Sequence, residues 1–331
     1  MQIGSLIGLS DRIFISRRIQ GLKMPLPNFL FIGTGKAGST SLYYYLNEHP
    51  DVYMSPVKET NFFSYEGGRP DFCGPGDRSS ISHKTTITTI QDYKANFDGA
   101  QQESAVGEVS PSYLYLPKAP QRIKHYLPNV KMIVILRNPA DRAYSNFQHK
   151  VRDNVEPNPD FSQVIYEEKT RIADGWSPSW HFVQNGFYAT QLKRYFDLFD
   201  INQLKIYLFE DWLSDQLGVY KDILQFIGVD DTFVPNLNTR YNISGKPKSK
   251  ALDNMLTRPN LVKKALKPIL PGAFRSKMAA KLLRSNLKRL PKLSPSLRAE
   301  LINIYRDDIL QLQDLIDRNL SSWLEVPHQN A

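Results

Sequence analysis

Cysteine is almost absent from this 331-residue chain, and Cys73 is the only one. A single thiol excludes an internal disulfide and any cysteine-built zinc cage. Cys73 lies in a Gly, Pro and Asp stretch without other chemistry-bearing neighbours, so it reads as a loop thiol. Long apolar runs are missing too. The most apolar N-terminal stretch, Met1 to Leu9, falls far short of the ~20 residues that a membrane-spanning helix needs. It has no basic segment before it and no small-residue cleavage site after it, which argues against a secretion signal. These absences lead to the expectation of a soluble, cytoplasmic protein. Residues 13–24, with Arg17, Arg18 and Lys23, read as an N-terminal helix or arm, with peripheral contact to a membrane face as the alternative.

Charge is present but unevenly placed. The net charge is +9, yet residues 246–292 hold fourteen Lys or Arg against one acid, Asp253, so the remainder is net acidic. That block is interleaved with Leu, Ile and Pro rather than with aromatics, so base stacking is poorly supported and no nucleic-acid partner is expected. A solvated helical face is the default; attraction of an anionic acceptor or a membrane face is the alternative. The reading is an arm over residues 1–27 and one domain over 28–331, basic and helical from about 246 to 331.

Apolar runs predict strands at Phe29–Ile32, Met132–Leu136 and Leu204–Phe209, with shorter ones at Val52–Met54 and Ala105–Val109. Helical patterns lie between them, at Thr40–Glu48, Ala119–Tyr126 and Phe187–Phe199. Ser294-Pro295 gives a cap and a first-turn proline for a helix to about Asn319. This alternation implies an α/β fold, a central parallel β-sheet flanked by helices, with ligands beyond the carboxyl ends of the strands. Two polar excursions, from Glu66 to about Thr89 and from Asp153 to Asn185, read as long loops of the kind that form lids or acceptor walls.

The strand at Phe29 runs into Gly33-Thr34-Gly35-Lys36-Ala37-Gly38-Ser39-Thr40 and then into a helix. Glycines let the backbone turn tightly and expose its amides, and the helix adds free N–H groups and the positive end of its dipole. Such a loop grips a phosphate. Gly33 and Gly38 have the four-residue spacing of the nucleotide-triphosphate loop, but Ser39 stands where that loop has lysine. Lysine comes three residues earlier, at Lys36. The later strand ends at Leu136-Arg137, where an NTPase is expected to offer Asp for magnesium. A cation at that strand end implies a phosphate site that works without a metal.

Four blocks then carry a resemblance. They are Phe31 to Leu42 (FIGTGKAGSTSL), Lys58 to Phe63 (KETNFF), Ile135 to Ser145 (ILRNPADRAYS), and Gly186-Phe187-Tyr188 followed by Leu204 to Trp212. In these the chain resembles the sulfotransferases that use 3′-phosphoadenosine 5′-phosphosulfate (PAPS), most of all the glycan-modifying branch that includes the heparan sulfate sulfotransferases. The resemblance covers residues 28–245 and implies a P-loop-like fold and 3′,5′-adenosine bisphosphate (PAP) as product. It implies that Lys36 contacts the 5′-phosphosulfate and stabilises the leaving phosphate. Backbone amides of Gly35, Lys36, Ala37, Gly38, Ser39 and Thr40, with the hydroxyls of Ser39 and Thr40, would cradle the 5′-phosphate. Arg137 and Ser145 would hold the 3′-phosphate, Glu59 would be the general base, and Ser244, Gly245 and Lys246 would lie near the nucleotide. Lys58 and Glu108 are the expected acceptor-side residues.

Two positions depart from the pattern. Asn61 stands where the glycan enzymes often have His, and Val109 where they often have Lys. Both face the acceptor in the resemblance, so PAPS use is better supported than a heparin-like substrate. The absence of a Golgi-type anchor suggests a soluble, bacterial relative. The acceptor expected is a glycan or glycolipid. The alternatives from other classes are a P-loop kinase or NTPase and a non-catalytic polyanion-binding protein.

Overall fold

The structure, a computed structural model, describes residues 26–237 and 291–326, together with positions 246, 247, 249, 282, 287 and 288 between them. The expected N-terminal arm up to residue 25, most of the basic block, and Ser244 and Gly245 lie outside the described residues.

Five strands form one parallel sheet in the order β2-β3-β1-β4-β5. They are β1 (Phe29–Gly33), β2 (Val52–Met54), β3 (Ala105–Val109), β4 (Lys131–Leu136) and β5 (Leu204–Leu208). The chain runs outward from β1 to β2, returns to β3, and then crosses to β4 on the other side of β1. That reversal opens a crevice at the carboxyl ends of β1 and β4, where ligands of such sheets bind.

Seven helices of eight residues or more are described: α1 (Ser39–Asn47), α2 (Ala119–Tyr126), α3 (Pro139–Arg152), α4 (Phe161–Ala173), α5 (Tyr188–Phe196), α6 (Gln216–Ile227) and α7 (Pro295–Ile316). Side-chain alternation along the strands feeds two cores. Phe29, Phe31, Ile133 and Ile135 pack on one face with α1 and α6, through Leu42, Leu46, Tyr220 and Leu224. Leu30, Ile32, Met132 and Val134 pack on the other with α2, α3, α5 and α7, through Ile123, Phe147, Leu192 and Leu301. Each large apolar side chain so buried contributes about 1.5–3 kcal/mol. A two-sided core of this kind can hold strained loop geometry at the strand ends.

Local signals set the helix starts. Asn138 accepts from the amides of Ala140 and Asp141 ahead of α3, whose first residue is Pro139. Ser294 accepts from Leu297 N ahead of α7. The strands fall within a residue of the sequence-based expectation, but the stretch from Asp153 to Asn185 does not read true as a loop. It contains α4, whose inner face carries Glu168 and Arg171 beside Phe161 and Val164. Glu168 accepts from Val183 N and Gln184 N, and Arg171 pairs with Glu156 and Glu167. Charged residues on the buried face conceal the apolar period that marks a helix. Among the described residues no helix is long and apolar enough to cross a membrane. A two-residue strand, Lys246–Pro247, pairs antiparallel with Leu287–Lys288.

Candidate active site

The loop after β1 ends at Gly38, which has φ +91° and caps α1. A Cβ there would also lie 3.3 Å from Trp212 Nε1, so both conformation and space call for glycine. No side chain caps α1, and its first turn holds no acid. Ser39, Thr40 and Ser41 of that turn line the cavity, and a helix start without acids favours an anion.

Lys36 is held at φ 72°, in the left-handed region, and lines the cavity. Burial, with Arg152 and Arg137 nearby, lowers its pKa to about 8 against the opposing pull of Asp153 and Glu59. Arg137 follows β4 directly. Its Nη1 donates to the Lys36 carbonyl at 2.9 Å, and its guanidinium lies 5.0 Å from the Phe209 ring centroid. The Tyr188 hydroxyl donates to the Arg137 carbonyl at 2.9 Å. Burial lowers the Arg137 pKa from its ordinary value. Ser145 sits on α3, eight positions past Arg137, on the same cavity.

One cavity of about 1050 Å³ gathers Lys36, Glu59, Arg137, Ser145, Phe209 and Trp212. Gly35, Gly38, Ser39 and Thr40 also line it, whereas Ala37 is turned into the core. Glu59 has φ 61° and its carboxylate meets Lys58 Nζ at 2.5 Å. Lys58 itself does not line the cavity.

The structure separates Glu108 from the acceptor side where the sequence led us to expect it. Glu108 is fully buried and does not line the cavity, and its carboxylate accepts from Tyr113 at 2.6 Å, from Tyr93 at 3.2 Å and from Thr60. Burial pushes its pKa up to about 7 despite these hydrogen bonds. Val109, the next residue of β3, points to the opposite face and joins the other core, so it does not face an acceptor either. Asn61 does line the cavity, with φ 51°. Its amide group donates to the Glu59 carbonyl and Ser82 Oγ and accepts from Ser112 Oγ, which makes it a brace. Of the late loop, the described pairing is that of Lys246–Pro247 with Leu287–Lys288.

Sequence reasoning missed several cavity residues. His149, Asn146 and Lys150 follow Ser145 along the same face of α3. Their spacing of one, four and five residues from Ser145 is the signal that could have found them. Burial and the neighbouring Lys36 lower the His149 pKa to about 4, so the imidazole is neutral at pH 7. Lys150 donates to Ser179 Oγ at 2.7 Å and lies 4.0 Å from the Trp180 ring centroid, and burial lowers its pKa to about 8. Phe209 and Trp212 were read as the end of a strand and its sequel, but the chain turns helical at Phe209 and both rings line the cavity. The two polar excursions are tied together. Asp77 of the first accepts from Ser177 N at 3.0 Å, Ser177 Oγ at 2.7 Å and Trp180 Nε1 at 2.8 Å of the second.

The chain belongs to the sulfotransferase domain family, which matches residues 26–260. It is similar to a sulfotransferase from Alicyclobacillus acidocaldarius of known structure, with 33% identity, 91% of this chain and 100% of that chain covered, and a TM-score of 0.71. Among curated relatives it is 26% identical over 313 residues to the bifunctional heparan sulfate N-deacetylase/N-sulfotransferase 4 of Mus musculus, covering 92% of this chain and 32% of that protein. It is 29% identical over 155 residues to the membrane-associated sulfotransferase kil1 of Dictyostelium discoideum, covering 45% of this chain and 30% of that protein. The chain thus spans about a third of the length of the curated relatives it matches. It is a sulfotransferase enzyme.

Proposed function

We propose that the enzyme moves a sulfuryl group from PAPS to a hydroxyl or amine of a carbohydrate acceptor, a glycan or glycolipid, without needing a metal ion. The observation that carries this reading is the convergence of Lys36, Glu59, Arg137 and Ser145 on one cavity from three separate parts of the chain. The cavity fits such a donor. Its volume of about 1050 Å³ slightly exceeds the roughly 300–1,000 Å³ of single-ligand sites, which leaves room for a nucleotide and part of an acceptor. Phe209, only partly buried, offers an aromatic surface for a purine beside the loop.

The donor supplies an activated sulfuryl group whose bond to the 5′-phosphate oxygen breaks as the acceptor bonds to sulfur. Glu59 takes the proton from the attacking hydroxyl or amine. Lys36 and the leading amides of α1 meet the negative charge that gathers on the departing phosphate. Arg137, whose guanidinium donates to the Lys36 carbonyl, holds the 3′-phosphate with Ser145. The acceptor wall is rich in hydroxyl and amide groups, among them Ser79, Ser82, Asn146 and Asn185, with Tyr65 and Tyr115 as flat apolar surfaces. Those are groups that suit a sugar, and curated relatives are named for heparan sulfate. Isothermal titration with PAP and with AMP tests the donor half. Tight PAP binding with at least a tenfold preference over AMP is expected, and equal affinities would overturn it.

A further inference from the structure

Glu108 is a fully buried carboxylate with no ion-pair partner among the described residues. Buried carboxylates are normally paired with a cation. Here four hydroxyls take that place: those of Thr60 and Tyr113, Tyr93 at 3.2 Å, and Ser110 at 3.4 Å. The Thr60 hydroxyl also contacts the Tyr113 hydroxyl at 3.1 Å. Thr60 is itself fully buried and lies between two residues in the left-handed region, Glu59 at φ 61° and Asn61 at φ 51°.

The backbone of this three-residue turn is held on both sides. Glu59 N donates to the Val109 carbonyl at 2.9 Å, and the Thr60 carbonyl accepts from Ile87 N at 2.8 Å. Asn61 N donates to Ser110 Oγ at 3.2 Å, and the Glu59 carbonyl accepts from Asn61 Nδ2 at 2.9 Å and Thr85 Oγ1 at 3.2 Å. Non-glycine residues stay left-handed only where their surroundings over-determine them. Of the three, Thr60 alone is absent from the cavity lining, and Glu108 is what its hydroxyl grips.

We infer that Glu108 and Thr60 form a positioning unit that aims the Glu59 carboxylate into the cavity, rather than a polar knot that merely stabilises the core. The inference rests on the reading of Glu59 as the base. Its logic is geometric: β3 is fixed in the sheet by pairing to β1 and β2, Glu108 is fixed on β3, and Thr60 transmits that rigidity to the turn. Loss of the hydroxyl frees the turn to relax toward right-handed backbone, which swings the Glu59 side chain.

Thr60→Val, Thr60→Ser, Glu108→Gln and Glu59→Gln in the full chain test this. The readouts are PAP release from PAPS with water or N-desulfated heparin as acceptor, PAP affinity, and hydrogen exchange at the amides of Asn61 and Ile87. Thr60→Val is expected to lower kcat at least tenfold, to leave PAP affinity within twofold, and to speed exchange at those two amides but not in β1 and β4. Thr60→Ser, which keeps the hydroxyl, is expected to return kcat to within threefold of the parent. Glu108→Gln, nearly isosteric, serves if the valine variant does not fold, and is expected to show the same split between kcat and PAP affinity. Near-parental kcat in Thr60→Val or in Glu108→Gln while Glu59→Gln is inactive would overturn the positioning role alone. Near-parental kcat in Glu59→Gln would overturn the reading of the base and this inference with it.

Discussion

The Arg137 guanidinium donates to the backbone carbonyl of Lys36 at 2.9 Å, across 101 positions of sequence. This one bond ties the end of β4 to the loop after β1, so the two cations that line the cavity are set relative to each other by backbone geometry. Arg137 also lies over the Phe209 ring, which keeps its planar fork in one orientation.

Arg137→Lys keeps the charge but loses the fork and the bond geometry to Lys36. A charge-assisted hydrogen bond is worth about 1.5–3 kcal/mol, so PAP affinity is expected to fall by roughly tenfold to a hundredfold. AMP affinity should change much less, because AMP lacks the 3′-phosphate. Calorimetric titration of both ligands checks this, and an equal loss for both would place Arg137 elsewhere on the nucleotide.

Lys36 gives PAP binding a pH dependence of defined sign. Its pKa is lowered to about 8, and an anion binds the protonated form. Affinity should therefore be flat below pH 8 and fall as pH rises through about 8, by up to tenfold per unit. Lys36→Ala should bind more weakly and lose that inflection. Titrations from pH 7 to 10 on both proteins provide the comparison.

Glu59→Gln retains size and hydrogen bonding but cannot take a proton. Turnover is expected to fall by about 10²–10⁴-fold, the usual contribution of a positioned base. PAP affinity should stay within twofold, since the change lies on the acceptor side. A variant with near-normal rate would remove Glu59 from the chemistry.

Gly38→Ala meets two obstacles, a backbone at φ +91° and a Cβ 3.3 Å from Trp212 Nε1. The left-handed conformation alone costs an L-residue about 1–2 kcal/mol. Lower thermal stability and weaker PAP binding are expected together, because the same turn presents the amides of α1. Differential scanning fluorimetry with and without PAP reads both.

Glu108 should make stability depend on pH in the direction opposite to a salt-bridged carboxylate. Its folded-state pKa is raised from the ordinary value of about 4.5 to about 7, so the folded state holds its proton where the unfolded state has lost it. The stability it contributes is complete below about pH 4.5 and is lost progressively as pH rises to about 7. Glu108→Gln should flatten urea-unfolding free energies across that window relative to the parent.

Much of this molecule is legible from local pattern. The five strands appear as apolar runs because both faces of a parallel sheet are buried, and β2 and β3 match the expected bounds residue for residue. Pro139 and Pro295 behind Asn138 and Ser294 mark helix starts through capping chemistry that acts over three residues. Where the pattern failed, the cause is long range. The inner face of α4 is charged because Glu168 serves the backbone of Val183 and Gln184, a contact no helical period reveals. Phe209 read as the end of a strand, yet the chain turns helical there and brings the Phe209 and Trp212 rings to the cavity.

By itself the sequence determined the strand, loop and helix from Phe29 to Asn47, the displaced lysine at 36, and the cation at the end of β4. Those features depend on turn chemistry, side-chain period and residue type, all of which act within a few residues. Only the tertiary structure decided which carboxylate faces the cavity. Glu59 and Glu108 are both plausible acids on paper, but strand alternation and the fixed position of β3 bury Glu108 among hydroxyls. The same packing holds Glu59 in a left-handed turn at the cavity wall. Burial is a property of what packs against a residue from far along the chain, and no local pattern contains it.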